Sequence, residues 1–199
     1  MEGIRKMLNV GTSGITTNTP KNVMFGAGTI HKNLKYVVET GWNFEESLVA
    51  ATNGGSKFTI TPEVYKIPLD GANVNVQGLT KKVGETATME INFAEITKDL
   101  VKASIFGEDG TSEDETYDVI LPKEDIETGD YWDNIAFVGK TVEGENIIVI
   151  MENALCTSGF STEGKNKTEG VAAMTFECHA KLDGNHNKLP YQIYLPKAA

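Results

Sequence analysis

Three histidines (His31, His179, His186) and two cysteines (Cys156, Cys178) are the side chains of this 199-residue chain best suited to hold a metal or act as a nucleophile. Their spacing serves neither purpose. No His-Glu-x-x-His and no Cys-x-x-Cys occurs, and no close Cys/His pair exists, so a zinc ion would need distant residues to converge. Cys178 alternates onto an apolar strand face, and both cysteines are expected to be buried, reduced thiols. His179 takes an outward strand position, expected to be solvated or at an interface. Gly26-Ala27-Gly28 matches half of a dinucleotide fingerprint but lacks the following helix and the third glycine. Asp183-Gly184-Asn185-His186-Asn187 opens like a calcium loop. Lys188 then stands where glycine is needed and Tyr194 where the closing Glu belongs, so an Asx-rich turn is expected. The acidic run Glu108–Glu115 reads as a solvated loop, and the sequon Asn166-Lys167-Thr168 matters only in a secreted chain. No Ser/His/Asp arrangement can be argued from spacing. The residues therefore point away from an enzyme, a metal site and a cofactor.

Composition narrows the class further. Eighteen Lys+Arg stand against 28 Asp+Glu, a net charge of −10, with 40% hydrophobic residues. That excludes wholesale disorder, and two cysteines exclude a disulfide-rich scaffold. The longest aliphatic run, Ile147–Met151, falls far short of the ~20 residues of a spanning helix. Met1-Glu2-Gly3-Ile4-Arg5-Lys6 lacks the apolar stretch of a signal peptide. A soluble chain with no membrane partner is expected. The charge is uneven: residues 1–38 carry +4, residues 39–157 carry −15 and residues 158–199 carry +1. The dominant field repels phosphate, so the chain is not expected to coat nucleic acid. A basic arm on an acidic body can instead meet a copy of itself head to tail.

The elements that must position these residues are mostly strands. Residues 1–21, with Gly11-Thr12-Ser13-Gly14 and Pro20, read as a flexible arm. Asn22–Phe25 reads as a short strand, followed by an irregular stretch from Gly26 to Gly41. Ser47–Thr52 reads as a strand and Asn53-Gly54 as a hairpin turn. Beyond it the apolar phase slips from Phe58 and Ile60 to Tyr65, Ile67 and Leu69, which predicts a bulge near Pro62. Asp70-Gly71 turns into a strand holding Val74 and Val76, with Asn73, Asn75 and Gln77 facing the other way. Ala87, Met89, Ile91 and Phe93 alternate with Thr86, Thr88, Glu90 and Asn92, as in a half-buried antiparallel strand. Thr97 as N-cap, Asp99 in the first turn and Gly107 at the end bound one short helix with Leu100, Ala103 and Ser104 on its buried face. Strands are expected at Tyr117–Leu121, Ile135–Gly139, Ile147–Leu155, Val171–Leu182 and Tyr191–Leu195. Glu143-Gly144-Glu145 joins two of them, and Ile147–Met151 is central. The expected fold is mainly β: one domain over residues 1–199, an antiparallel sandwich or barrel of eight or nine strands with a single flanking helix at about residues 97–106.

The order of these signals carries a resemblance. Asn22–Gly28 (Asn-Val-Met-Phe-Gly-Ala-Gly) is followed by a loop and by Leu48–Gly55 with its strand. Leu69-Asp70-Gly71, Gln77-Gly78-Leu79, the strand Glu85–Phe93 and the helix come next. The long strand from Ala172 and the closing Pro190–Leu195 extend the likeness. In this order the chain resembles the major tail tube proteins of long-tailed bacteriophages and related prophage tail-like particles. The resemblance implies hexameric rings of identical copies, stacked into a hollow tube that transmits DNA during ejection. It implies no cofactor and a place in the virion tail, after a period in the host cytoplasm. The implied partners are the chain itself, the tape-measure, tail-terminator and baseplate proteins, and DNA in non-specific passage.

Long DNA must pass without sticking, so the bore should lack a dense basic lining. Thr86, Thr88, Glu90 and Asn92, together with Asn73, Asn75 and Gln77, contain no Lys or Arg and are the candidates for the lumen face. Arg5, Lys6, Lys32, Lys35 and Trp42, in the arm and in the loop Thr29–Ser47, are the candidates for ring stacking. Two other readings stand beside this one. The inner tube of a contractile tail, tailocin or secretion system uses the same physics. A β-sandwich decoration or carbohydrate-binding module would want clustered aromatic residues, for which only Trp42, Tyr131 and Trp132 offer themselves.

Overall fold

A computed structural model describes residues 14–197. In chain order the elements are α1 (Thr19–Asn22), β1 (Met24–Lys32), β2 (Tyr36–Val37), β3 (Gly41–Trp42), α2 (Phe44–Ser47), β4 (Thr52–Lys66) and β5 (Thr80–Phe93). There follow α3 (Lys98–Ile105), β6 (Gly107–Gly110), β7 (Val119–Pro122), β8 (Trp132–Thr141), β9 (Asn146–Cys156), β10 (Ala172–Cys178) and β11 (Tyr191–Tyr194). Seven strands form one antiparallel sheet in the order β1-β8-β9-β10-β5-β4, with β11 also on β9. β2–β3 and β6–β7 are small separate hairpins.

The sheet curls until its two ends meet. Just ahead of β4, Val49 N–H donates to the Ile30 carbonyl at 2.9 Å, and His31 bridges Leu48. The enclosed face carries the main core: Ile30 from β1, Ala87, Met89, Ile91 and Phe93 from β5, and Met174 and Phe176 from β10 among them. The expected alternation of Ala87 through Phe93 is therefore the interior register. Helix α3 adds Leu100 and Ala103 to the same cluster. Thr97 caps it, its hydroxyl accepting from Leu100 N–H at 3.4 Å. β9 is central as expected, paired with β8 on one edge and with β10 and β11 on the other. The mainly β sandwich or barrel with a flanking helix is what the chain forms.

Several local expectations are corrected. β1 runs on to Lys32 through the glycines, because Gly26 and Gly28 adopt φ of +96° and +70° and form a bulge between Phe25 and Thr29 in its pairing with β8. Asn53-Gly54 is likewise a bulge inside β4, between Thr52 and Ser56, and not a hairpin turn. Ser47 ends a one-turn helix and does not begin a strand. The expected bulge near Pro62 is present, between Glu63 and Val64. Asn73–Gln77 is not a strand: residues 67–79 are the loop of a long β4–β5 hairpin. Gly107 does not provide the left-handed residue that ends α3; Phe106 does, at φ +52°. Gly107 is needed for space, since a Cβ there would lie 2.4 Å from Ile120 Cγ2.

Candidate assembly surface

The outer face of the sheet divides into a covered half and a bare half. Over β8 and β9 lies the strap 33–47, which contains β2, β3 and α2. Leu34 is buried against Ala136, Val138, Ile148 and Ile150, with Trp42 and Phe44 packed over them. Trp42 is the hub of this cover. It stacks with Phe44 (centroids 6.3 Å apart) and meets Tyr36 at 5.4 Å and Tyr194 at 5.1 Å edge-on. The Asn134 amide holds the strap's first turn, accepting from Leu34 N–H at 2.9 Å and donating to the Leu34 carbonyl at 3.2 Å.

Over β10, β5 and β4 the outer face is polar. Register places Thr175 and Lys57 on either side of Glu90, and Glu177 and Thr59 on either side of Thr88. Lys57 Nζ reaches Glu90 Oε1 at 3.0 Å, so the lysine on this face is paired. The Asn92 amide reaches the Gly55 carbonyl at 3.5 Å. Thr86, Thr88, Glu90 and Asn92 thus share one face. Asn73, Asn75 and Gln77 do not join them; they lie exposed in the hairpin loop, about 20 Å beyond Thr86 at ~3.3 Å per strand residue.

That hairpin is the feature the sequence pattern misassigned. β4 has 15 residues, about 50 Å of strand at ~3.4 Å each, longer than the barrel can cover. Its outer part and the loop leave Val64, Tyr65, Leu69, Val74 and Val83 all more than half exposed. β4 also ends the strand order, so its far edge from Lys57 to Lys66 has no partner strand among the described residues. Tyr65 and Leu69 belong to the apolar set that resumes after Pro62, yet they lie outside the core. The signal that separates them is length, since alternation continues past the point where a second layer exists.

The other candidates are placed as follows. Lys32 Nζ sits 3.1 Å from Asp99 Oδ2 and 4.5 Å from the centre of the Trp132 ring, tying β1 to α3. Lys35 is exposed, its backbone N–H donating to Asn43 Oδ1 at 2.7 Å. Arg5 and Lys6 lie outside the described residues. At one end of the barrel Glu85 accepts from Lys82 Nζ at 2.6 Å and from the Tyr191 hydroxyl at 3.1 Å. Lys82 holds the Glu85 carboxyl below its usual range, while burial, and then Glu85, push the Tyr191 hydroxyl up. The calcium-like loop is an Asx turn, Asn187 N–H donating to Asn185 Oδ1 at 2.9 Å, with His186 turned to the Lys181 and Leu182 carbonyls. Both cysteines are free and buried.

No family model matches the chain, and no curated protein matches it. Among solved structures it is similar to a chain from the virion of a native gene transfer agent particle. That likeness has 11% identity and a TM-score of 0.42, and it covers 80% of this chain and 95% of that one. Among the described residues, no helix is long and apolar enough to cross a membrane.

Proposed function

We propose that the chain is the tube-forming protein of a phage-type tail, whose copies join side by side into rings, six to a ring, that stack around a channel for DNA. The observation that supports this most is the β4–β5 hairpin. It holds an open sheet edge and an apolar outer part that stays largely exposed among the described residues. Isolated monomers suppress such edges and patches, whereas assemblies use them. A contact between one copy's hairpin and a different surface on the next copy is heterologous. It closes into rings when the rotation is right and extends indefinitely along an axis when it is not.

The bare polar face suits the bore. Thr86, Thr88, Glu90 and Asn92, with Thr59, Thr175 and Glu177, offer hydroxyls, an amide and carboxylates, and the neighbouring Lys57 is neutralised by Glu90. Such a lining gives passing phosphates no fixed cation to rest on. Asn73, Asn75 and Gln77 belong with the hairpin tip and its contacts. Arg5, Lys6, Lys32, Lys35 and the strap around Trp42 supply the stacking surface.

Negative-stain microscopy of the purified protein at low and high concentration tests the reading, beside a Val64→Ser, Tyr65→Ser, Val83→Ser variant. Those side chains are exposed, so the variant should fold as the parent does. Rings or tubes should form with the parent and be lost in the variant. A parent that stays monomeric under every assembly condition, or a variant that assembles normally, would overturn the proposal.

A further inference from the structure

His31 is 2% exposed, and it pins the end of the strap as Asn134 pins its start. Its Nδ1 lies 2.9 Å from Ser47 Oγ and its Nε2 lies 2.8 Å from Thr29 Oγ1. The protons follow from the neighbours. Ser47 Oγ donates to the Asn43 carbonyl at 2.7 Å, so the histidine donates from Nδ1 to Ser47; the Thr29 hydroxyl lies between Nε2 and the Val138 carbonyl and donates to Nε2 when the ring is neutral. Both ring nitrogens have a partner. Phe44 packs against it edge to face, centroids 5.6 Å apart.

No countercharge waits for it. Lys32, next along β1, is turned to Asp99 and Trp132. Glu45 and Glu46 of α2, and Asp133 and Lys140 of β8, are exposed, and none of them is paired with the ring. Burial lowers the pKa of His31 from its ordinary value, with the Phe44 carbonyl opposing more weakly. A second ring proton would make Nε2 a donor, and the Thr29 hydroxyl would turn to the Val138 carbonyl, 3.4 Å away. It would also leave a buried cation with no carboxylate paired to it.

We propose that His31 makes the strap a proton-released flap: when the ring is protonated, residues 33–47 lift from the outer face of β8 and β9 while the barrel stays folded. The two events separate because the cluster under the strap (Leu34, Ala136, Val138, Ile148, Ile150) is distinct from the interior one. The sign follows from the ring's environment. The pKa is lower in the attached state than in the released one, so the proton favours release. Attachment is complete above ~6.5, and the opening constant rises up to about tenfold for each pH unit below it, until the attached ring itself titrates. The device belongs to the single chain and does not depend on what the chain assembles into.

The test uses the full chain labelled with 5-fluorotryptophan, which gives one fluorine signal in the strap (Trp42) and one in the barrel (Trp132). Between pH 7.5 and 5 the Trp42 signal should shift toward that of a solvated indole. Amide exchange over residues 34–47, corrected for its intrinsic pH dependence, should speed up by as much as tenfold per unit. The β9 amides should hold. In His31→Asn, whose amide can donate to Ser47 but cannot take a proton, the pH dependence should vanish. Strap opening that is independent of pH in the parent overturns the proposal. So does the same dependence in the variant, or exchange of the β9 amides that speeds up together with that of the strap. If the variant does not fold, the parent's Trp42 signal and its β9 amides decide alone.

Discussion

Gly28 is where a sequence motif and a packing constraint make different predictions. Read as part of a phosphate loop, Gly26-Ala27-Gly28 would be needed only with a ligand. In the structure the two glycines form the bulge of β1, but their surroundings differ. A Cβ on Gly28 would sit 2.4 Å from Phe137 Cε2 and 2.9 Å from the Val138 carbonyl oxygen, at φ +70°. A Cβ on Gly26 would meet nothing within 4 Å, at φ +96°. Gly26→Ala therefore incurs only the left-handed backbone penalty, about 1–2 kcal/mol. Gly28→Ala adds the cost of displacing a Phe137 ring held in the core, another ~1–3 kcal/mol, for a total of about 2–5 kcal/mol. The assay is urea unfolding of both variants without any ligand, followed by circular dichroism at a protein concentration where the parent is monomeric. A Gly28→Ala midpoint equal to that of Gly26→Ala would refute the reasoning, since the clash with Phe137 would then cost nothing.

Two further outcomes follow from the same geometry. Asn134→Ala strips the partner from both the N–H and the carbonyl of buried Leu34, so the variant should lose about 2–4 kcal/mol. The loss should show first as faster amide exchange in the strap, and unchanged exchange there would count against the clamp. Cys178 is 3% exposed, and burial, aided by the Glu152 charge, pushes its thiol from 9.0 up to about 12. Its proton is held more tightly folded than unfolded. Its contribution is therefore complete below about pH 9 and is lost as the pH rises toward 12. The melting temperature of the parent should fall more steeply than that of Cys178→Ala above pH 9, and a thiol reagent should label the native parent only after denaturation. Rapid labelling of the native chain would show that the site is open.

The parts legible in the sequence were those governed by local chemistry. Thr97, Asp99 and the Leu100/Ala103/Ser104 face give α3 its start and its buried side, and the Ala87–Phe93 alternation gives β5 its interior register. The apolar slip at Pro62 marks a real bulge. What failed depended on partners distant in sequence. Asn53-Gly54 has the dihedral freedom of a hairpin turn, yet β5 is there to pair with both flanks, so the same freedom makes a bulge. Val74 and Val76 alternate like a strand but have no second layer to bury them. The strap reads as irregular because Asn134 and His31, which anchor its two ends, belong to strands whose own patterns do not mention it.

The hairpin edge argues for selectivity as well as contact. Lys57 and Lys66 stand at the two ends of the unpaired part of β4, and Pro62, which lacks an N–H, lies between them opposite Glu85. Charges and proline are the devices by which edge strands avoid indiscriminate pairing. A neighbouring strand therefore finds a shortened row of donors here, and backbone bonds alone give it little register. The side chains must supply the rest, and Val64 and Tyr65, both more than half exposed, follow directly after the bulge that reorients the strand. An edge guarded in this way and apolar just beyond the guard resists any passing strand. It admits a partner whose own surface fills the apolar part, and under the proposed function that partner is an identical copy, which presents the same surface to every neighbour. Repeated identical contacts of that kind give one fixed rotation per step, which is what a ring of uniform size requires.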